Sequence, residues 1–287
     1  MGTSTIVANI TMRVLLDNGI FSHSEFAESA VKETLVGWGD TKQVLPVHGL
    51  IRKTPDKNPE FQKQKEALFT VGRLIREGVI EAYDYREIQC ERIRGRIGLR
   101  VCDALQGCTF HSCRPAVERS KFRQTVNFMD AISKGGKKDC AAGLELSEAN
   151  QIPFFEWLCN LEKEHIDALI RHGALIDLTA FEIESLRNVD WFRVLCQTSG
   201  SRENSRENYP DVFHLWTAER NGLDAVLTLD GKLKNLVSRV KKEKVKRVEI
   251  RTEVLLPMDL LQKLGITEPD PVPMDIDRFY RWHELPE

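Results

Sequence analysis

The chain has 287 residues, 41% of them hydrophobic and 29% charged, with a formal net charge of −2. This is ordinary globular usage for one large or two small domains, and it excludes a disordered chain, a collagen and a disulfide mini-protein. Near-neutral charge means that any contact with a polyanion has to come from a local patch.

Arg13-Val14-Leu15-Leu16-Asp17 is a short apolar run ending in a carboxylate, and it reads as a buried strand. Asn18-Gly19 breaks it. Residues 24–31 are expected to be helical and residues 37–60, which hold Gly, Pro and Asp, to form a long loop. Phe61, Leu68, Val71, Leu74 and Ile75 fall near helical spacing, with Gly78 as the stop. Val79 to Tyr85 alternates as a strand does, and Arg86 to Arg94 favours helix. Residues 95–150 are less regular and read as an insertion or helical subdomain.

Helical periodicity runs from Ile152 to Arg171, a strand is expected at Ala174–Leu178 and a helix at Phe181–Cys196. Ser199 to Asn208 is a polar loop with two Ser-Arg-Glu-Asn copies. Tyr209-Pro210-Asp211 opens a helix to Asn221-Gly222, because proline suits the first helical turn. Ala225 to Asp230 is a strand ending in a carboxylate, a helix follows to about Glu243, and Arg247 to Leu256 is the last strand. Strands alternating with helices predict an α/β fold with three layers, α/β/α, around a central, mostly parallel sheet. The expected organisation is one domain over 1–260 with an insertion at about 95–160, then an irregular tail over 261–287 with Pro269, Pro271 and Pro273.

Ligands of open α/β sheets bind beyond the carboxyl ends of the strands. Asp17 and Asp230 end two predicted strands, and Asp211 lies in the first turn of a helix. Gathered together, such acids repel and raise each other's pKa. A hard divalent cation relieves that cost. Each acid also has a plainer reading. Asp211 complements a helix N-terminus, and Asp17-Asn18-Gly19 and Asp230-Gly231 are turn sequences.

Val14-Leu15-Leu16-Asp17-Asn18, then Tyr209-Pro210-Asp211-Val212-Phe213-His214-Leu215-Trp216-Thr217-Ala218, then Leu227-Thr228-Leu229-Asp230 resemble the PIN domain family of nucleases. Asp211 and Ala218 share a helical face, and Thr228 and Asp230 point to one side of a strand. The resemblance covers about 13–93 and 165–256, and 209–236 is its most specific part. It implies a PIN-like, Rossmann-like fold and a fourth acid on the helix after the second strand. Glu91 fits best, ahead of Glu87 and Glu182. It further implies that Asp17, Glu91, Asp211 and Asp230 are both catalytic residues and ligands of one or two Mg2+ or Mn2+ ions. The activity implied is metal-dependent hydrolysis of phosphodiesters, leaving a 5′-phosphate, with single-stranded RNA the favoured substrate. Thr228, Asn18 and Ser22 are placed for supporting contacts. His214, one turn after Asp211, is in reach of the site, although a helix histidine is more often structural.

Cys102, Cys108, His111 and Cys113 hold four Cys/His within twelve residues. Their C-x5-C-x2-H-x-C spacing lacks the paired hooks usual for zinc, so reduced thiols are the favoured reading over a zinc site. Lys232, Lys234, Arg239, Lys241, Lys242, Lys244, Lys246 and Arg247 form a basic run that suits a phosphate backbone or a solvated face. No phosphate-binding loop, dinucleotide fingerprint or serine-hydrolase elbow is present. No apolar run approaches the ~18 residues of a membrane span. The first twenty residues lack a secretory pattern. Seven cysteines without such a signal suggest a reducing, cytoplasmic setting. The expected function is a cytoplasmic endoribonuclease with nucleic acid as partner, with no membrane association, and with room for a protein partner or homo-oligomer. The alternatives are a catalytically weak or inactive RNA- or protein-binding module and a toxin component held by a partner.

Overall fold

The computed structural model describes residues 11–38, 40–94, 102–122, 151–171, 177–198, 208–242, 249–281 and 284. In chain order the elements are β1 (Met12–Leu16), α1 (Asn18–His23), β2 (Ala27–Trp38), β3 (Thr41–Arg52), α2 (Pro59–Arg76), β4 (Ile80–Asp84), α3 (Arg86–Arg94) and β5 (Phe110–Ser112). A 3-10 turn at Arg119–Phe122 follows. Then come α4 (Gln151–Asn160), α5 (Lys163–Arg171), α6 (Ala180–Arg187), α7 (Val189–Thr198), α8 (Tyr209–Arg220), β6 (Ala225–Leu227), α9 (Gly231–Lys242), β7 (Glu253–Leu255), α10 (Pro257–Lys263) and β8 (Phe279–Tyr280).

Val14, Leu15 and Leu16 of β1 have no exposed surface. A strand apolar along its whole length needs cover on both faces, which a parallel sheet between helices supplies. β1 lies at the centre of a five-stranded sheet of order β5-β4-β1-β6-β7, every pair parallel. Helices flank it, as the expected three-layer α/β/α architecture requires. The register Leu15↔Tyr83 on one side and Leu16↔Leu227 on the other brings the carboxyl ends of β1, β4 and β6 to one edge. Behind α8, Phe154, Phe155, Phe192, Phe213 and Trp216 form a buried aromatic cluster, with Phe192 stacked on Trp216 at 5.2 Å between centroids. This cluster fixes how α8 lies on the sheet.

Several elements differ from expectation. Residues 27–31, expected in a helix, belong to β2, and 41–52, expected in a loop, form β3. The two pair as a long antiparallel hairpin, with Leu35 opposite Val44 and Thr34 opposite Leu45. The Ala/Glu start of β2 favours helix locally, but propensity is a weak prior and the continuous ladder with β3 overrides it. Within the expected insertion, Phe110–Ser112 is an edge strand of the main sheet rather than part of a separate lobe. Residues 95–101 and 123–150 lie outside the described residues, as does most of the strand expected at 174–178. The helix expected over 152–171 breaks at Leu161-Glu162, and that over 181–196 breaks at Asn188. The last two strands are shorter than expected, and residues 243–248 are not described. The tail is not wholly irregular, since residues 261–263 close α10 and β8 pairs with β3.

Gly72 shows how closely α2 meets the segment after α3. A Cβ there would sit 1.9 Å from the Ala104 carbonyl oxygen, which is backbone and cannot swing away. Gly72→Ala should therefore destabilise the chain by about 1–3 kcal/mol, as overpacking does. Gly37→Ala, with nothing within 4 Å of the added carbon, should change it little. Urea midpoints of the two variants against the parent chain check this.

Candidate metal centre at the carboxyl edge of the sheet

β1 ends at Leu16, so Asp17 emerges at the sheet edge as the residue before α1. Its backbone N–H donates to the Leu227 carbonyl at 3.0 Å, and Thr228 Oγ1 donates to its Oδ2 at 2.8 Å. The same Thr228 hydroxyl accepts from the Asp230 N–H at 2.9 Å. Thr228 thus ties the ends of β1 and β6 together. Asp230 accepts from the Lys232 N–H at 2.7 Å and so caps α9. Asp211 enters from the first turn of α8.

Asp17, Asp211 and His214 each offer one ligand atom, and these atoms lie within 4.8 Å of one another. Among the described residues no other group of three His, Cys, Asp or Glu side chains converges in this way. Asp17 and Asp211 are half-buried, whereas His214 is 2% exposed. Burial and then the Asp17 carboxylate push Asp211 up to about 7, with Asp230 and Glu91 adding to the rise against His214. Burial on its own would lower the His214 imidazole. Glu91, Asp17 and Asp211 outweigh it and hold the ring at about 9. His214 Nδ1 lies 2.7 Å from the hydroxyl of fully buried Tyr85, and Nε2 lies 3.5 Å from Glu91 Oε1. Gln151 Nε2 donates to the same Glu91 oxygen at 3.1 Å.

The four expected acids therefore do not play equal parts. Asp17 and Asp211 meet directly, Asp230 joins through Thr228, and Glu91 reaches the group through His214. The two other candidates for the fourth acid are structural. Glu87 is buried against Arg119, with Arg119 Nη2 2.9 Å from Oε2. Glu182 completes the capping box of α6 with Thr179 and takes Lys121 at 2.6 Å. Ser22 bonds within its own helix, to the Asn18 carbonyl.

His214 is the residue the sequence undervalues. Its spacing of three from Asp211 puts the two on one helical face, but only the tertiary packing shows that this face looks into the acids. The sulfur-rich constellation does not converge. Cys108 Sγ donates to the Gly72 carbonyl, Cys102 packs beside the cluster of Ala27, Leu50, Met274 and Tyr280, and His111 lies against Tyr83 and Glu81. Cys113 is pushed up to about 12 by burial and then by Asp84, so it is a poor thiolate ligand. The described cysteines are free thiols. Of the basic run, Lys234 is bound to Asp259, while Lys232, Arg239, Lys241 and Lys242 lie on or beside the face of α9, and Lys244, Lys246 and Arg247 are outside the described residues. No described helix is long and apolar enough to cross a membrane.

Comparison with family models, with curated proteins and with solved structures gave no match for this chain.

Asp211 and His214 both hold protons more tightly than in the unfolded chain, with opposite charge consequences but one sign for stability. The raised Asp211 makes stability fall as pH rises from about 4 to about 7. The raised His214 contributes stability that is complete below about 6.5 and lost as pH passes about 9. In chelator, urea midpoints should fall across both windows. Asp211→Asn should flatten the lower one, and His214→Gln the upper.

Proposed function

We propose that the chain is a metal-dependent nuclease, an endoribonuclease acting on single-stranded RNA, in a reducing, cytoplasmic setting. The observation that carries this reading is the meeting of Asp17 and Asp211 beside Asp230 at the carboxyl edge of a parallel sheet, where ligands of such sheets bind. The donors fit a hard divalent cation, Mg2+ or Mn2+, because they are mainly carboxylate oxygens. Burial and then the Asp17 charge push Asp211 up to about 7, a cost that a bound cation would relieve. When bound, such an ion neutralises phosphodiester charge and lowers the pKa of water.

The chain's own residues then have separate tasks. Asp17, Asp211 and Asp230 hold the cation, and Thr228 keeps Asp17 and Asp230 in register. Glu91 acts on the site through His214, and Tyr85 fixes the ring from the other side. Lys232, Arg239, Lys241 and Lys242 of α9, which starts right after Asp230, supply charge for the sugar-phosphate backbone. Single strands need only such contacts and base stacking.

A second reading, a protein-binding module, is favoured by one observation. Five of the six large apolar side chains exposed among the described residues, Val31, Leu35, Val36, Val44 and Leu45, lie on the β2–β3 hairpin. Such a patch suits a partner protein or a second copy.

Cleavage of labelled single-stranded RNA and DNA, with Mn2+ and with chelator, separates the readings. RNA should be cut with metal and left intact in chelator. Asp17→Asn and Asp230→Asn should each lower cleavage more than ~100-fold, since a lost ligand removes several kcal/mol of transition-state stabilisation. Their circular dichroism should stay that of the parent. Glu182→Gln should keep cleavage while losing about 2 kcal/mol of stability, because it breaks a buried ion pair far from the acids in role. Full activity of both aspartate variants would sink the assignment.

A further inference from the structure

His214 is more than a bystander to the acids. It comes from α8 three residues after Asp211, is 2% exposed, and brings a ring nitrogen into the same small space as the Asp17 and Asp211 carboxylates. Bonds of about 2.0–2.2 Å put two ligand atoms of one ion no more than about 4.4 Å apart. The three ligand atoms of this group lie within 4.8 Å of one another, so a modest inward shift brings them onto one ion. Such an adjustment is within the reach of side-chain torsions.

The ring is also held as a ligating imidazole is held. A ligating histidine keeps its second nitrogen on a carboxylate or another fixed polar group, which sets its orientation. Tyr85 is fully buried and its hydroxyl lies 2.7 Å from Nδ1. Glu91 Oε1 lies 3.5 Å from Nε2 and is itself tied down by Gln151. Whichever nitrogen turns to the ion, the other keeps a neighbour. Tyr85 and His214 also meet edge to face, with centroids 5.6 Å apart, so the ring plane is fixed by packing as well.

The chemistry of this donor set differs from that of three carboxylates alone. Mg2+ binds oxygen and gives up its waters reluctantly. Imidazole shifts preference to first-row transition ions. Resting on the nuclease reading for the site's purpose, we propose that His214 is a nitrogen ligand that makes this centre select a first-row transition cation such as Mn2+ over Mg2+, with Tyr85 and Glu91 as its positioning residues.

The test reads metal binding directly on the full chain stripped by chelator. Calorimetric titration should give Mn2+ at least tenfold tighter than Mg2+. His214→Gln should weaken Mn2+ at least tenfold and Mg2+ less than threefold. Asp211→Asn should weaken both, and Tyr85→Phe should weaken Mn2+ alone, by three- to tenfold. Pulsed electron paramagnetic resonance of the Mn2+-loaded parent chain should show coupling to an imidazole nitrogen. That measurement needs no variant to fold. Equal affinity for the two ions, or Mn2+ bound without nitrogen coupling, would overturn the inference. Nitrogen-coupled Mn2+ on a chain that cuts neither RNA nor DNA would keep this inference and discard the nuclease. Cleavage by a centre that lacks the coupling would do the reverse.

Discussion

The structure depends on the repulsion between Asp17 and Asp211, two carboxylates brought together where water only partly reaches them. Folding has to bear that cost along with the loss of water, and the two together, burial first and then the Asp17 charge, push Asp211 up to about 7. A chain selected only for stability has simple remedies, such as one asparagine or an exposed rotamer. Here the acids are instead held in place by bonds that also tie the ends of β1 and β6 together. Thr228 spends its hydroxyl on Asp17 and on the backbone of Asp230, and Asp17 is pinned by the Leu227 carbonyl. Like charges held together at the carboxyl edge of a parallel sheet mark this place as the candidate site.

The rest of the fold supplies rigidity to that arrangement. β1 is central and paired on both sides, so its end cannot move without breaking two ladders. α8 is gripped by Phe192 against Trp216 and by Phe155 against Phe213, which fixes Asp211 and His214 relative to the strands. Glu87 with Arg119, and Glu182 with Lys121 and Thr179, tie the segment after β5 to α3 and α6. These acids resemble site residues in sequence because a buried ion pair and a metal ligand both need a carboxylate. Only the neighbouring cation tells them apart.

Legibility in the sequence followed the range of the interactions. β1, β4, α3 and α8 were readable because a buried strand, a run of helix formers and a proline in a first helical turn are written in adjacent residues. The hairpin was not, since Leu35 meets Val44 by a pairing that neither segment announces alone. Phe110–Ser112 was hidden for the same reason: three residues join the sheet only because β4 offers an edge. In the site, Asp17, Asp211 and Asp230 could be named from strand ends and a helix start. The placement of Glu91 behind His214 could not, because it depends on how α3 packs across α8. His214 itself looked structural, as most histidines on apolar helical faces are.

The plain readings of the acids can now be separated on physical grounds. An aspartate that only complements a helix N-terminus gains from the dipole, and its pKa falls. Asp211 moves the other way, so the loss of water and then the field of Asp17 outweigh the helix. Its position therefore cannot be explained by α8 alone. Asp230 does cap α9 through the Lys232 N–H, as a turn residue should, yet it also adds to the charge that lifts Asp211. One oxygen serves the helix while the residue as a whole serves the cluster. The plain and the chemical readings conflict at Asp211 and coexist at Asp230. It is the conflict at Asp211 that the proposed cation would relieve.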